Sequence, residues 1–107
     1  MSAFIEVLRL SELPEGSAQR VEIDGEPIAV VHTEGQIFAV DDTCTHAEVS
    51  LAEGEIDGCT LECWLHGSRF DLRTGRPSGP PATRPIAVHP VEVTGTGDDA
   101  MIRVALT

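Results

Sequence analysis

The sequence predicts an all-β domain built from short antiparallel strands. Apolar residues come in short, mostly β-branched runs, which Gly, Pro or Asp separates at intervals of roughly eight to twelve residues. No window has the 3.6-residue apolar spacing of a long amphipathic helix. A chain of 107 residues can bury one modest core, but it is too short for a cofactor domain plus a catalytic domain. We therefore expect a single domain spanning 1–107.

The strands follow from these runs, and the turns between them follow from local turn chemistry. Asp24-Gly25 and Glu34-Gly35 predict two tight hairpins, and the segment from Thr94 to Asp99 predicts a further turn, so the strands they join should pair antiparallel. The expected strands are Phe4 to Leu8, Gln19 to Ile23, Ile28 to His32, Ile37 to Asp41, Glu55 to Ile56, Thr60 to Cys63, Phe70 to Leu72, Ala87 to Val93 and Met101 to Leu106.

Three segments interrupt the strand pattern. They are Thr43 to Leu51, Trp64 to Arg69, and the rigid run from Pro77 to Pro81, which cannot join a central strand. Long loops in a compact domain usually carry function. These segments are where we expect the functional site.

The charge of the chain excludes two classes of partner. The 18 acidic residues outnumber the 7 basic ones by 11, which argues against binding to nucleic acid or to anionic membranes. Residues 1–63 hold 14 of the acids and only two Arg, whereas residues 64–107 hold four acids and five Arg. The acidic first part either provides solubility or steers the protein towards a basic face on a partner.

The start of the chain, Met1 to Glu6, has neither the basic residues nor the apolar run of a secretory signal. No stretch approaches the roughly 20 apolar residues of a spanning helix. We expect a cytoplasmic protein that does not bind membranes.

Two short Cys/His pairs fall in two of the loops. Cys44-Thr45-His46 lies in the first loop and Cys63-Trp64-Leu65-His66 in the second, with 16 residues between His46 and Cys63. An intervening segment of this length can form a hairpin, so both pairs can converge on one site. Four nitrogen and sulfur ligands would then meet.

Two kinds of metal centre accept this ligand set. Zinc binds two Cys and two His tetrahedrally, but its usual spacing groups the two Cys together and the two His together. A binuclear iron cluster also fits, because one iron can bind both Cys and the other both His.

The motifs resemble those of Rieske proteins. The resemblance rests on Cys44-Thr45-His46, on Cys63-x-x-His66-Gly67-Ser68, on Phe70-Asp71-x-x-Thr74-Gly75 and on Gly79-Pro80-Pro81, and it spans nearly the whole chain. Within that family the chain looks most like the separate Rieske ferredoxins of bacterial multicomponent ring-hydroxylating dioxygenases. The resemblance implies a Rieske fold, with a cluster-binding subdomain of about 43–81 inserted in a basal β domain.

The same resemblance implies the cofactor and the residues that hold it. One Rieske-type [2Fe-2S] cluster would be bound by Cys44, His46, Cys63 and His66. Pro80 or Pro81 would cover the cluster, and Ser68 would either donate to a bridging sulfide or merely shape its turn. Respiratory Rieske proteins carry a disulfide at the positions of Val49 and Leu65, which this chain lacks.

The expected reduction potential lies towards the low end of the Rieske range of about −150 to +300 mV. Two neutral imidazoles make the cluster less negative than a four-thiolate cluster, which raises the potential above that of plant-type ferredoxins. High-potential members carry a Tyr where this chain has Phe70, so a hydroxyl that could bond a ligand sulfur is missing.

The leading functional hypothesis is a monomeric one-electron carrier that is not itself an enzyme. It would pass electrons from an NAD(P)H-dependent ferredoxin reductase to a terminal oxygenase. One alternative is a small Rieske subunit of a nitrite-reductase-like complex, and another is a zinc-stabilised interaction module.

The remaining His and Cys residues carry no comparable signal. His32 and His89 lie in strands without Cys or carboxylate patterning, which favours ordinary surface or packing roles. The odd cysteine, Cys59, is expected to be a reduced thiol near a turn.

Overall fold

The structure of the chain is a computed structural model. The structure describes residues 4–43, 49–63, 69–78 and 84–106. Within these ranges the regular structure consists of strands and three short 3-10 helices, Leu10–Glu12, Leu51–Glu53 and Gly97–Asp99. No helix in this part of the chain has the length and apolar character needed to cross a membrane.

In the described part of the chain, ten strands make up three antiparallel sheets. The strands are β1 (Ile5–Arg9), β2 (Ser17–Ile23), β3 (Glu26–Thr33), β4 (Gln36–Asp41), β5 (Ile56–Asp57), β6 (Thr60–Glu62), β7 (Arg69–Asp71), β8 (Val88–His89), β9 (Val91–Thr94) and β10 (Met101–Val104). The outer sheet has the order β1-β10-β9, the central sheet β2-β3-β4-β8, and the small sheet β5-β6-β7. The predicted all-β class is confirmed.

The two predicted hairpins are present, and their turns explain the residues found there. Asp24 and Gly25 have φ angles of 51° and 82°, and Glu34 and Gly35 have 52° and 70°. Two successive residues with positive φ match the twist of the flanking strands, which is why such turns close tight hairpins. They place Ile23 opposite Glu26 in the β2-β3 pair.

The prediction of one strand from Ala87 to Val93 was wrong. Pro90 separates β8, which pairs with β4 in the central sheet, from β9, which pairs with β10 in the outer sheet. Proline has no N–H for a ladder, so the segment changes sheets at this residue. The chain that returns from the third loop therefore connects two sheets.

The central sheet is buried on both faces, which accounts for the unbroken apolar run in β3. Ala29 and Val31 pack in one core cluster, together with residues of the small sheet and of the segment before it. Ile28 and Val30 pack in the other cluster, against the outer sheet. All four are fully buried. The central sheet is thus the middle layer between the outer sheet and the part of the chain that holds the predicted ligand segments.

Candidate metal centre

Of the predicted site residues, Cys63 lies within the described part of the chain. The others, Cys44, His46, His66, Ser68, Pro80 and Pro81, fall outside the described residues. The structure therefore shows the surroundings of the predicted centre through the residues at which the three predicted loops begin and end.

Cys63 follows β6 and is fully buried. It packs in the same core cluster as Leu61 and Phe70 and takes part in no disulfide. A thiolate is a soft ligand suited to iron–sulfur clusters and zinc. Within the described ranges, no group of three His, Cys, Asp or Glu side chains could hold a metal. A metal bound by Cys63 would therefore need further donors from segments outside these ranges.

The second loop closes the hairpin formed by β6 and β7. Glu62 is paired with Arg69, so the segment 63–68 leaves and re-enters the small sheet at one point. The Arg69 guanidinium also binds the carboxylate of Asp57 on β5 at 2.8 Å. Both ends of the second loop are thus fixed to the same three-stranded sheet.

The third loop starts where the second one ends. Ser78 donates its backbone N–H to the carbonyl of Arg69 at 2.8 Å, and Pro77 forms a bridge with Phe70. Beyond the loop, Ile86 donates its N–H to the carbonyl of Gly75 at 2.8 Å. Ser78, the last described residue before the remainder of the Pro-rich segment, therefore lies beside the base of the second predicted ligand loop.

A hydrogen-bonded turn underlies the motif Asp71-x-x-Thr74-Gly75. The Asp71 carboxylate accepts the N–H of Arg73 at 2.8 Å, and the Thr74 hydroxyl accepts the N–H of Arg76 at 3.2 Å. Gly75 has a φ of +78°, a value at which a side chain is strained. This turn reverses the chain after β7, so that Pro77 comes back alongside Phe70.

The first loop is closed by Thr43 and Ser50, which form an antiparallel bridge. Next to this bridge, the carbonyl of Asp42 accepts the N–H of Leu51 at 2.7 Å, and its carboxylate accepts the N–H of Ala52 at 2.9 Å. Leu51 begins a 3-10 helix that packs on the central sheet. The segment 44–49 is therefore held at both ends by a single hydrogen-bonded base.

The bases of the first and second loops are in direct contact. Glu62 donates its backbone N–H to the carbonyl of Glu55 at 2.8 Å. Gly54 lies so close to the carbonyl of Glu62 that a Cβ on it would overlap that oxygen. Leu51 and Cys63 belong to one core cluster. The described residues thus bring the bases of all three predicted loops together, as a four-ligand centre requires.

Two adjacent aspartates secure the end of β4 before the first loop. Asp41 accepts a hydrogen bond at 2.8 Å from Nε2 of His89, which is 6% exposed on β8. Asp42 faces the other way, and its carboxylate lies 3.4 Å from Nε of Arg20 on β2. The start of the first loop is therefore held by side-chain contacts to β8, the neighbour of β4, and to β2, the strand at the other edge of the central sheet.

In the structure both His32 and His89 have a carboxylate neighbour, which in each case comes from outside the histidine's own strand. Nε2 of His32 lies 3.4 Å from a carboxylate oxygen of Glu15, and Nδ1 donates to the carbonyl of Leu13 at 2.7 Å. The partner of His89 is Asp41. Each histidine thus links its strand to another part of the chain through a side-chain contact. Cys59 is a half-buried free thiol in the turn between β5 and β6.

Replacing His89 with Phe is expected to destabilise the protein by about 1.5–3 kcal/mol, the usual range for a hydrogen bond to a charged group. The ring keeps its volume but loses the bond to Asp41. Urea denaturation monitored by circular dichroism measures the change. Asp41→Asn, which keeps an acceptor for the same N–H, should cost less; equal stabilities of parent and His89→Phe would refute this role.

Comparison with known proteins identifies the family. A family model described as Rieske [2Fe-2S] domain matches residues 3–90. A biphenyl dioxygenase ferredoxin subunit from Pseudomonas sp. (strain KKS102) is 39% identical over 93 residues, which cover 86% of this chain and 85% of the relative. A 3-phenylpropionate/cinnamic acid dioxygenase ferredoxin subunit from Photorhabdus laumondii is 46% identical over 88 residues, covering 81% of this chain and 83% of the relative.

Solved structures give the same result. The ferredoxin of carbazole 1,9a-dioxygenase from Nocardioides aromaticivorans IC177 matches with a TM-score of 0.89 and 33% identity, covering 98% of this chain and 99% of that one. A complex of reduced oxygenase and oxidized ferredoxin in carbazole 1,9a-dioxygenase contains a chain that matches with a TM-score of 0.83 and 37% identity, covering 95% of this chain and 92% of that chain. This chain belongs to the Rieske [2Fe-2S] domain family, and it is an electron-transfer ferredoxin with a Rieske-type [2Fe-2S] cluster.

Proposed function

We propose that this chain carries single electrons from an NAD(P)H-dependent ferredoxin reductase to a terminal ring-hydroxylating oxygenase. The observation that carries the proposal is the likeness to ferredoxin components of dioxygenase systems over more than four fifths of the chain. The ferredoxin of carbazole 1,9a-dioxygenase forms a complex with its oxygenase, which supports an oxygenase as the electron acceptor here as well. The reductase that donates the electrons would work where NAD(P)H is found, so we propose that the carrier is cytoplasmic. We also propose that it is a monomer.

The proposed ligands are Cys44, Cys63, His46 and His66. One iron would take the two thiolates and the other the two imidazoles, the arrangement typical of Rieske centres. The described loop bases support this set, because they attach both Cys/His pairs to one region of the fold. Ser68 and Pro81 would lie around the cluster, within a subdomain of about 43–81.

The proposal is tested by reconstituting electron transfer with components of the biphenyl dioxygenase system. Its reductase and oxygenase are mixed with this chain, NADH and biphenyl, and NADH-dependent product formation is measured. We expect turnover that requires this chain and a Rieske-type electron paramagnetic resonance signal on reduction. A protein that shows the signal but restores no turnover with this oxygenase, nor with those of the naphthalene and carbazole systems, would contradict the proposed partner.

The two alternatives have less support. Two putative nitrite reductase small subunits match with TM-scores of 0.77 and 0.82, but at 19% and 20% identity they share only the fold. A zinc module is distinguished by metal analysis, because it would contain one zinc and no acid-labile sulfide. Two irons and two sulfides per chain are expected instead.

His46→Cys or His66→Cys should lower the reduction potential wherever a cluster still assembles. A thiolate would replace a neutral imidazole and make the metal site more negative, so that adding an electron becomes harder. Protein-film voltammetry measures the change against the parent chain. A rise in potential would contradict this charge argument.

A further inference from the structure

A buried carboxylate lies at the base of the first ligand loop. Asp42 is 2% exposed. One carboxylate oxygen accepts the N–H of Ala52 at 2.9 Å, and the other lies 3.4 Å from Nε of Arg20. Its backbone is fixed as well, through hydrogen bonds to Pro27 and Leu51. A negative charge is thus held at one place inside the protein.

The position of this charge along the chain bounds its distance from the proposed centre. Asp42 precedes Cys44 by two residues. Two residues span at most about 7 Å between Cα atoms in any conformation. A buried charge is little screened by salt, so it can act on a group bound nearby along the chain. The Asp42 carboxylate is therefore well placed to act on whatever Cys44 binds.

Arg20 is placed to offset part of this charge. It is the only basic residue between Arg9 and Arg69 in the sequence. Its side chain lies on β2, is half exposed, and faces both the buried Asp42 and the exposed Glu22, each at 3.4 Å. Because solvent reaches Arg20 more easily than Asp42, its charge is screened more.

We propose that the pair of Asp42 and Arg20 sets the reduction potential of the cluster. Adding one electron makes the metal site more negative, so the buried carboxylate disfavours reduction and lowers the potential. The guanidinium of Arg20 opposes this effect but does not cancel it. Neither residue is a ligand. The inference rests on the proposed ligation by Cys44.

The test is voltammetry of single variants at one fixed pH. Asp42→Asn removes the charge while its side-chain oxygen can still accept from Ala52, and its potential should be higher than that of the parent chain. Arg20→Met removes the positive charge and keeps an apolar stem, so its potential should be lower. Arg20→Lys keeps the charge and should remain close to the parent. The double variant Arg20→Met/Asp42→Asn should lie between the two single variants.

Two matched controls distinguish the effect of the Asp42–Arg20 pair on the potential from the effect of a change in net charge. Arg9→Met makes the same change in net charge as Arg20→Met, but at an exposed residue of β1 in the outer sheet. Glu22→Gln matches Asp42→Asn, but it removes an exposed carboxylate. Both controls should shift the potential less than the variants they match.

Three results would overturn the inference. They are an Asp42→Asn potential at or below that of the parent, an Arg20→Met shift no larger than that of Arg9→Met, and a shift in Arg20→Lys as large as in Arg20→Met. If the Asp42→Asn variant fails to assemble a cluster, the potentials of the two Arg20 variants alone decide whether the inference holds. A parent chain without a Rieske-type paramagnetic signal would refute the proposed function, whereas a present signal with unchanged potentials refutes only this inference.

Discussion

Cys63→Ser is expected to abolish the Rieske-type paramagnetic signal and the visible colour of the protein. An alcohol is a far poorer ligand than a thiolate for an iron–sulfur cluster, since the thiolate form is what binds the metal. The substitution is nearly isosteric, so the buried position at the end of β6 stays filled. Metal binding and folding are coupled, and we therefore also expect a lower melting temperature.

Cys59→Ser is the matched control for this prediction. Cys59 is a free thiol four positions earlier, half-buried in the turn between β5 and β6. The Cys59→Ser variant should keep the iron content, sulfide content and spectrum of the parent chain. Loss of the cluster in both variants would indicate general damage to the small sheet, and a normal cluster in Cys63→Ser would show that Cys63 is not a ligand.

Gly75→Ala is expected to destabilise the protein by roughly 3 kcal/mol or more, a large part of the 5–15 kcal/mol typical of a domain. The residue has a φ of +78°, which costs a side chain about 1–2 kcal/mol. The new Cβ would also overlap the carbonyl oxygen of Ile86 and crowd Val88. Because Ile86 hydrogen-bonds to Gly75, the substitution would push apart the two ends of the segment that contains the third loop.

Gly16→Ala isolates the backbone contribution. Gly16 has a similar φ of +84°, yet a Cβ there meets nothing within 4 Å. The Gly16→Ala variant should lose only about 1–2 kcal/mol of stability, which is the conformational penalty alone. Urea denaturation of both variants gives the comparison, and equal losses of stability would mean that the contact with Ile86 is easily relieved.

Much of the fold could be predicted from the sequence because its signals are local. Alternating or continuous apolar runs located the strands to within about two residues, and turn dipeptides such as Asp24-Gly25 fixed the hairpins. The exchange of sheets at Pro90 was missed because the apolar pattern continues across it. The pairing of β1 with β10 leaves no local trace, since it depends on how distant strands assemble.

The metal ligands were predicted from residue type and spacing, and the assignment stays a prediction for Cys44, His46, Cys63 and His66. The supporting contacts could not be found in this way. The bond between His89 and Asp41 depends on the pairing of β8 with β4, and the contact of Arg20 with Asp42 depends on how β2 lies beside the first loop. Side-chain contacts between distant strands follow from register, which a sequence pattern does not specify.

The pairing of β1 with β10 has a consequence for the order of events during synthesis. The outer sheet cannot close until the ribosome has released Val104, the partner of Ile5. The two pairs that close the ligand loops, Thr43 with Ser50 and Glu62 with Arg69, each join residues only seven positions apart. Short loops close with a small entropy cost, so local pairs form early and distant ones late. Both hairpins that carry the predicted ligands should therefore be formed, and ready to receive a cluster, before β1 has found its partner.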